Sequence, residues 1–346
     1  MSEQATALFS TMTEASSFDT MATLLAQHYG LSGQLSRLNS ERDENFHLQA
    51  SDGVQYVVKL SHPAEPRTMT DFQTQALLYA LEQDPALPIP RVIARRDGQP
   101  WAAISMPDGP ERVLRVLSYL DGKPLHQVVR TVAQRRHLGT TLARLDKALA
   151  GFQHPAAHHD LLWDIQHCER LRTLAEGQEP QFRQWLDHFE YTLKPRLASL
   201  RRQVIHNDLN PHNVLLDPVN EVSTAGLIDF GDMVHAPLVN ELAVACSYQL
   251  SGNGNPLDSA ADLIAAYHAE NPLTVEEVGL LYDLILTRLY MTVTITDWRA
   301  LRHPENRSYI LRNNGISRDG FIRLSALGRE QATRYLRDIC SMKGQA

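Results

Sequence analysis

His206-Asn207-Asp208-Leu209-Asn210-Pro211-His212-Asn213, followed downstream by Leu227-Ile228-Asp229-Phe230-Gly231-Asp232, is the stretch that decides the reading. Between these two strings, Val214-Leu215-Leu216 and Leu227-Ile228 flank a turn at Asp217-Pro218-Val219-Asn220. Short apolar runs around such a turn predict a small hairpin. The polar string at its base carries a chemistry. Phosphoryl transfer from a triphosphate needs Mg²⁺, and Mg²⁺ takes hard oxygen ligands. The acceptor hydroxyl needs a carboxylate that orients it and takes its proton. Asp208 has the place of that base. Asn213, five residues on, and Asp229, at the end of an apolar strand, have the places of the metal ligands.

Upstream of residue 120 the chain reads as strands with few helices. A short amphipathic helix is expected over 18–29, ending at Gly30. Strands over 46–49 and 56–60 are joined by Asp52-Gly53, a strong hairpin signal. A helix over 70–82 places Phe72, Ala76 and Ala80 on one side, and Pro85, Pro88 and Pro90 stop it. Two more strands, 101–105 and 113–120, flank a turn at Pro107-Asp108-Gly109-Pro110. Beyond Asp121-Gly122-Lys123-Pro124 helices dominate, over 131–150, 181–200 and 274–299. The last has a capping box in Thr274 and Glu277, with Val278, Leu281, Tyr282, Ile285 and Leu289 at helical spacing. The expected organisation is a flexible segment 1–17, a strand-rich lobe 18–120, and a helical lobe 121–346 holding the embedded hairpin.

Composition bounds the class. The chain has 346 residues, 33 Lys plus Arg, 40 Asp plus Glu and a net charge of −7, with 43% hydrophobic residues. That supports an ordinary globular core and argues against a nucleic-acid partner, which calls for a basic excess. The apolar runs read as too short to span a bilayer, the N-terminus does not read as a secretory signal, and no membrane partner is expected. Cys168, Cys246 and Cys340 are odd in number and far apart, as for reduced thiols in a cytoplasm. Arg95-Arg96, Arg135-Arg136 and Arg201-Arg202 read as solvated faces. Oligomeric state is not legible.

The string H-x-D-x-x-x-x-N with a later apolar D-F-G resembles the catalytic and metal loops of protein-kinase-like enzymes. The forms HNDLNPHNVLLD and LIDFGDMVHAPLVNELA are similar to the aminoglycoside phosphotransferase and choline kinase branch. Within it they most resemble hydroxylysine kinases, which share the Asp-Leu-Asn, the Asp-Phe-Gly-Asp-Met and a later Pro-Glu-Asn, here Pro304-Glu305-Asn306. The resemblance implies an α+β, bilobal protein-kinase-like fold with a small antiparallel-sheet N-lobe and a larger, mainly helical C-lobe. By position it implies that Lys59, ending the strand Tyr-Val-Val-Lys-Leu, holds the non-transferred phosphates. Ser118, Tyr119 and Leu120, at the hinge, would offer backbone groups to the purine. His206 would anchor the loop and Glu241 brace it. Asp232 is a candidate for the acceptor or a turn cap. Trp163, Tyr290 and Trp298 lie where acceptor pockets occur in this branch, although buried aromatics are more often core.

Two departures from the pattern matter, and a third is mild. The loop between the opening strands, Ser40-Glu41-Arg42-Asp43-Glu44-Asn45-Phe46, has no glycine, so Ser40 or the nearby backbone would have to meet phosphate. The helix position that should carry a Glu for Lys59 is Gln73. Asn207 stands where relatives carry Gly, and Asn tolerates unusual backbone angles. The resemblance implies a kinase passing the γ-phosphate of ATP or GTP, with Mg²⁺, to a hydroxyl of an amino alcohol or hydroxy amino acid. Hydroxylysine comes first; homoserine, choline, ethanolamine and an aminoglycoside are alternatives. The reading from a different class is a pseudokinase that binds nucleotide without turnover. A protein kinase is disfavoured, because no Ala-Pro-Glu follows Asp229.

Overall fold

The computed structural model describes residues 15–40, 43–105, 110–175 and 178–342. Most of the segment expected to be flexible, part of the glycine-free loop and most of the turn at 107–110 lie outside these residues. Helix α1 (Phe18–His28) is the first element of the described residues, with Ser17 as its N-cap, and Gly30, at φ +71°, turns it into the sheet. The strands are β1 (Gly33–Leu38), β2 (Glu44–Ala50), β3 (Gln55–Leu60), β4 (Val92–Ile93), β5 (Ala102–Ile104) and β6 (Arg112–Ser118). They pair antiparallel in the order β1-β2-β3-β6-β4, with β5 on β6. Alternation sends successive residues to opposite faces. Phe46, Leu48, Val58, Leu60, Leu114 and Val116 form one core with Met21 and Leu25 of α1. The other face carries Lys59 and Arg115, directly opposed across β3 and β6.

Helix α2 (Arg67–Gln83) joins the larger core. Its Phe72, Ala76 and Ala80 are buried, as the spacing predicts, and belong to the apolar cluster of the helical lobe. The Phe72 ring stacks on Phe152 at 6.1 Å, and Leu227 N–H donates to Pro88 O at 2.8 Å. The chain leaves the sheet at Ser118 and enters the second lobe at β7 (Lys123–Pro124), which pairs with β9 (Val214–Leu216), itself paired with β10 (Thr224–Leu227). The expected hairpin is therefore present. A second ribbon, β8 (Arg202–Ile205) with β11 (Val234–Pro237), was not foreseen.

The longer described helices of this lobe are α3 (Val132–Ala148), α4 (Pro180–His188), α5 (Val239–Ser247), α6 (Asp258–Glu270), α7 (Val275–Arg302), α8 (Asn314–Leu327) and α9 (Arg329–Ile339), with a single-turn helix over Arg307–Ile310 between α7 and α8. Two have capping boxes, Thr131 with Gln134 and Thr274 with Glu277. The helix expected over 181–200 ends at His188. A π-turn over Phe189–Leu193 and a 3₁₀ turn over Lys194–Ser199 follow, with Pro195 in the first turn of the latter. Proline has no N–H to give an α-helical ladder.

Two further expectations are corrected. Helix α7 is long and apolar enough to cross a membrane by length and composition, so the apolar runs are not all short. However, 94% of its apolar window is buried inside the protein, as the axis of the helical lobe. Arg201 is exposed as expected, yet it is also an anchor: it grips the fully buried Glu277 with Nε at 2.9 Å and Nη2 at 2.6 Å. Arg135 likewise donates twice to Asp262 Oδ2.

Helices α3 and α6 pack backbone to backbone at Gly139, where a Cβ would stand 2.3 Å from Leu263 O. A side chain there must push the helices apart. Gly139→Ala is expected to cost about 1–3 kcal/mol despite its better helix propensity. Thermal unfolding of the variant, which should melt below the parent, checks this.

Candidate active site

The polar string lies between β8 and β9, and the acidic string follows β10. One side chain joins them. His206 is fully buried; its Nδ1 accepts Asp208 N–H at 3.2 Å and its Nε2 meets Ile228 O at 3.0 Å. A neutral ring with its proton on Nε2 satisfies both bonds. Phe230 lies edge-on to this ring at 4.7 Å. From α5, the buried Glu241 accepts Asn207 N–H through Oε2 at 3.0 Å. A further bond, Ile228 N–H to Asn213 O at 2.9 Å, sets Asn213 and Asp229 beside each other.

The carboxylate of Asp208 is held on both oxygens. Oδ2 accepts Asn213 Nδ2 at 2.8 Å and Asn210 Nδ2 at 3.0 Å. Asn213 Nδ2 also reaches Asp208 O at 2.9 Å, which leaves its own carbonyl oxygen facing away from Asp208. Oδ1 lies 3.4 Å from Nη2 of Arg288. Burial first, then the neighbouring charges of Asp232 and Asp229, push the Asp208 carboxyl up to about 7, while Arg288 and Asn210 pull it down. The site thus has negative charge that its own cation does not neutralise.

Lys59 Nζ stands 3.4 Å from Asp43 Oδ2. Gln73 is not its partner: Gln73 Oε1 accepts from Arg115 Nη2. Burial raises the Asp43 carboxyl, but Lys59, Arg115 and the His62 N–H outweigh it and hold the group below the usual carboxylate range. At the hinge, two of the three amides are committed within the sheet. Ser118 N–H goes to Arg91 O at 2.8 Å and Tyr119 N–H to Gln55 O at 3.2 Å, while Ser118 Oγ takes the Arg91 N–H. The expectation that all three positions offer groups to a purine narrows to their carbonyls and to Leu120. Ser40 is exposed beyond β1.

Of the acceptor candidates, the structure brings Asp232 and Trp163 to the centre. Asp232 acts electrostatically on Asp208. Trp163 gives its carbonyl to Arg288 Nη1 at 2.9 Å and its ring face to the guanidinium at 4.9 Å. Tyr290 and Trp298 are not brought there. Tyr290 is fully buried against Phe182, in the core beside α4. Trp298 is ten residues beyond Arg288 on α7, about 15 Å along the axis. There it lines a separate cavity of about 470 Å³ with Arg302, Arg307 and Arg318.

A model of the phosphotransferase enzyme family, APH, matches residues 34–278. The chain belongs to this family. Among curated proteins it is similar to the hydroxylysine kinase of Mus musculus, 25% identical over 303 residues, covering 80% of this chain and 81% of that one. The hydroxylysine kinase of Xenopus laevis is 25% identical over 325 residues, with 86% of each covered. Among solved structures, amicoumacin kinase hAmiN in complex with AMP-PNP, Ca²⁺ and Ami superposes with a TM-score of 0.67 at 15% identity, over 97% of this chain and 96% of that one. A microcompartment-associated aminopropanol kinase gives 0.67 at 20% identity, over 93% and 98%. These likenesses show a shared kinase-like fold. An APH-family chain is a phosphotransferase, which moves phosphate to a hydroxyl.

Two residues of this APH-family site escaped the sequence reading. Arg288 is 1% exposed, and a buried cation needs paired acids. Its signal was present: a lone arginine inside the apolar run of α7. Asp43 has no such signal, because its contact with Lys59 depends on the register of β2 on β3.

Asn207 and Asp229 both take left-handed backbone angles, φ +64° and +63°. Asn207 is fully buried, and both polar atoms of its amide lack a partner among the described residues. Asn207→Gly should keep activity and melt no lower than the parent. Asn207→Val, β-branched at a positive φ, should lose about 1–3 kcal/mol of stability. Paired melting curves of the two variants check this.

Proposed function

We propose that this chain is a Mg²⁺-dependent small-molecule kinase that passes the γ-phosphate of ATP or GTP to a hydroxyl of an amine or amino acid, hydroxylysine first. The observation that carries the reading is the Asp208 carboxylate, pinned by Asn213 and Asn210 and gripped by a buried arginine. Its carboxyl is pushed up to about 7 by burial and by the acids around it. A cluster of acids that one arginine does not neutralise is costly at a loop junction, and a divalent metal relieves that cost. The donor set fits Mg²⁺: the Asn213 carbonyl oxygen and the Asp229 carboxylate are hard oxygens on adjacent loops. When bound, the metal would supply counter-charge to the phosphates. Asp208 would orient the acceptor hydroxyl and take its proton. Lys59 would hold the non-transferred phosphates, and His206 and Glu241 would keep the loop in shape. This is positioning and electrostatics, without a covalent intermediate.

The acceptor class follows from the same charge. Asp208 and Asp232 favour an acceptor that carries an ammonium group, and the curated relatives, which align over most of the chain, are named for hydroxylysine. Homoserine, choline, ethanolamine and an aminoglycoside remain the comparison set. The pseudokinase reading drew on Gln73 and on the glycine-free loop. Asp43 beside Lys59 weakens the first of these grounds.

The deciding measurement is diphosphate release with both nucleotides and this acceptor panel. Hydroxylysine should give the highest kcat/KM, and chelation of divalent cations should stop turnover. Asp208→Asn should lower kcat by about 10²–10⁴-fold with nucleotide affinity kept. No acceptor-dependent release from the parent, with Asp208→Asn indistinguishable from it, would sink the kinase reading.

A further inference from the structure

A lysine that holds phosphates needs a fixed anion beside it, because four rotatable carbons otherwise spread its charge over many rotamers. Gln73, the helix position where that anion is expected, is neutral and already engaged by Arg115. Arg115 is buried, opposes Lys59 across the β3–β6 pair, and also lies 3.5 Å from Thr74 Oγ1. The side chain that would receive a helix acid is thus replaced by an arginine-to-helix tie.

The acid comes instead from the residue just before β2. Asp43 Oδ2 is 3.4 Å from Lys59 Nζ, with the two side chains only 12% and 14% exposed. Asp43 Oδ1 takes the His62 backbone N–H at 3.1 Å, so the carboxylate is held at both ends. Its neighbour Glu44 is not a substitute. That carboxylate is taken by Arg112 Nη1 at 2.6 Å and by the Ser16 N–H at 2.8 Å.

We propose that Asp43 is the positioning residue of the nucleotide site, holding Lys59 for the phosphates of a nucleoside di- or triphosphate in place of a helix acid. This rests on the kinase reading above. It moves the lysine's anchor from a helix to the strand that follows the phosphate-facing loop. Nucleotide phosphates that reach Lys59 therefore meet a cation tied to β2 on one side and, through Arg115, a sheet tied to α2 on the other.

The test is equilibrium binding to the full-length protein, with ADP and GDP compared against their nucleosides. Asp43→Asn should weaken binding of the preferred diphosphate about tenfold and leave its nucleoside within about twofold. Asp43→Glu should recover part of the loss, and Gln73→Ala should keep diphosphate affinity. In a Lys59→Met background, Asp43→Asn should add nothing further, since its effect runs through the lysine. Unchanged diphosphate binding in Asp43→Asn overturns the proposal. So does equal loss of diphosphate and nucleoside, an additive loss in the Lys59→Met background, or a diphosphate-selective loss in Gln73→Ala. If the parent binds neither nucleotide, the kinase reading fails first; if it turns over and Asp43→Asn behaves like it, only this inference fails.

Discussion

One imidazole holds the two functional loops at a fixed separation. His206 takes the Asp208 N–H on one nitrogen and reaches Ile228 O with the other. Asp208 and Asn213 share one loop and Asp229 lies on the other, and the placement of Asp229 against them passes through this ring and the Ile228–Asn213 backbone bond. The left-handed turns at Asn207 and Asp229 are the local cost, of order 1–2 kcal/mol each for a non-glycine residue. Glu241 offsets part of it by accepting the Asn207 backbone N–H inside the core. Such strain persists where the surroundings over-determine it.

The second constraint is the axis of the helical lobe. Helix α7 is buried along nearly its whole apolar length and presents Arg288 to Asp208 from within the core. A guanidinium there cannot move far, because Trp163, which gives it both a carbonyl and a ring face, and Asp208 hold it from separate segments. The same helix is anchored at its start by Glu277, which both closes the capping box and receives Arg201.

What the sequence disclosed and what it hid follow from range. The catalytic strings, the Asp52-Gly53 hairpin and the Thr274 cap are written in residues a few positions apart, so spacing reveals them. The 181–200 helix was misjudged because periodicity continues past Pro195 while the hydrogen-bond ladder cannot. The ion pairs of Arg201 and Arg135 were hidden because their acids, Glu277 and Asp262, come from helices distant in sequence. Tyr290 and Trp298 share a helix with Arg288, yet rotation and rise along that helix take them elsewhere. The site's acids were legible as residues, whereas the partner of Lys59 needed the register of the sheet.

Helix α2 has a mechanical consequence. It belongs by chain order to the sheet lobe, yet its Phe72 is stacked on Phe152 and its apolar side is part of the helical lobe's core. Arg115 pins its other side to the sheet. A helix clamped from both directions is a poor lever: swinging it outward would open the largest core of the molecule. The two lobes therefore share α2 as a common strut, and displacing it would disturb the sheet and the helical core together.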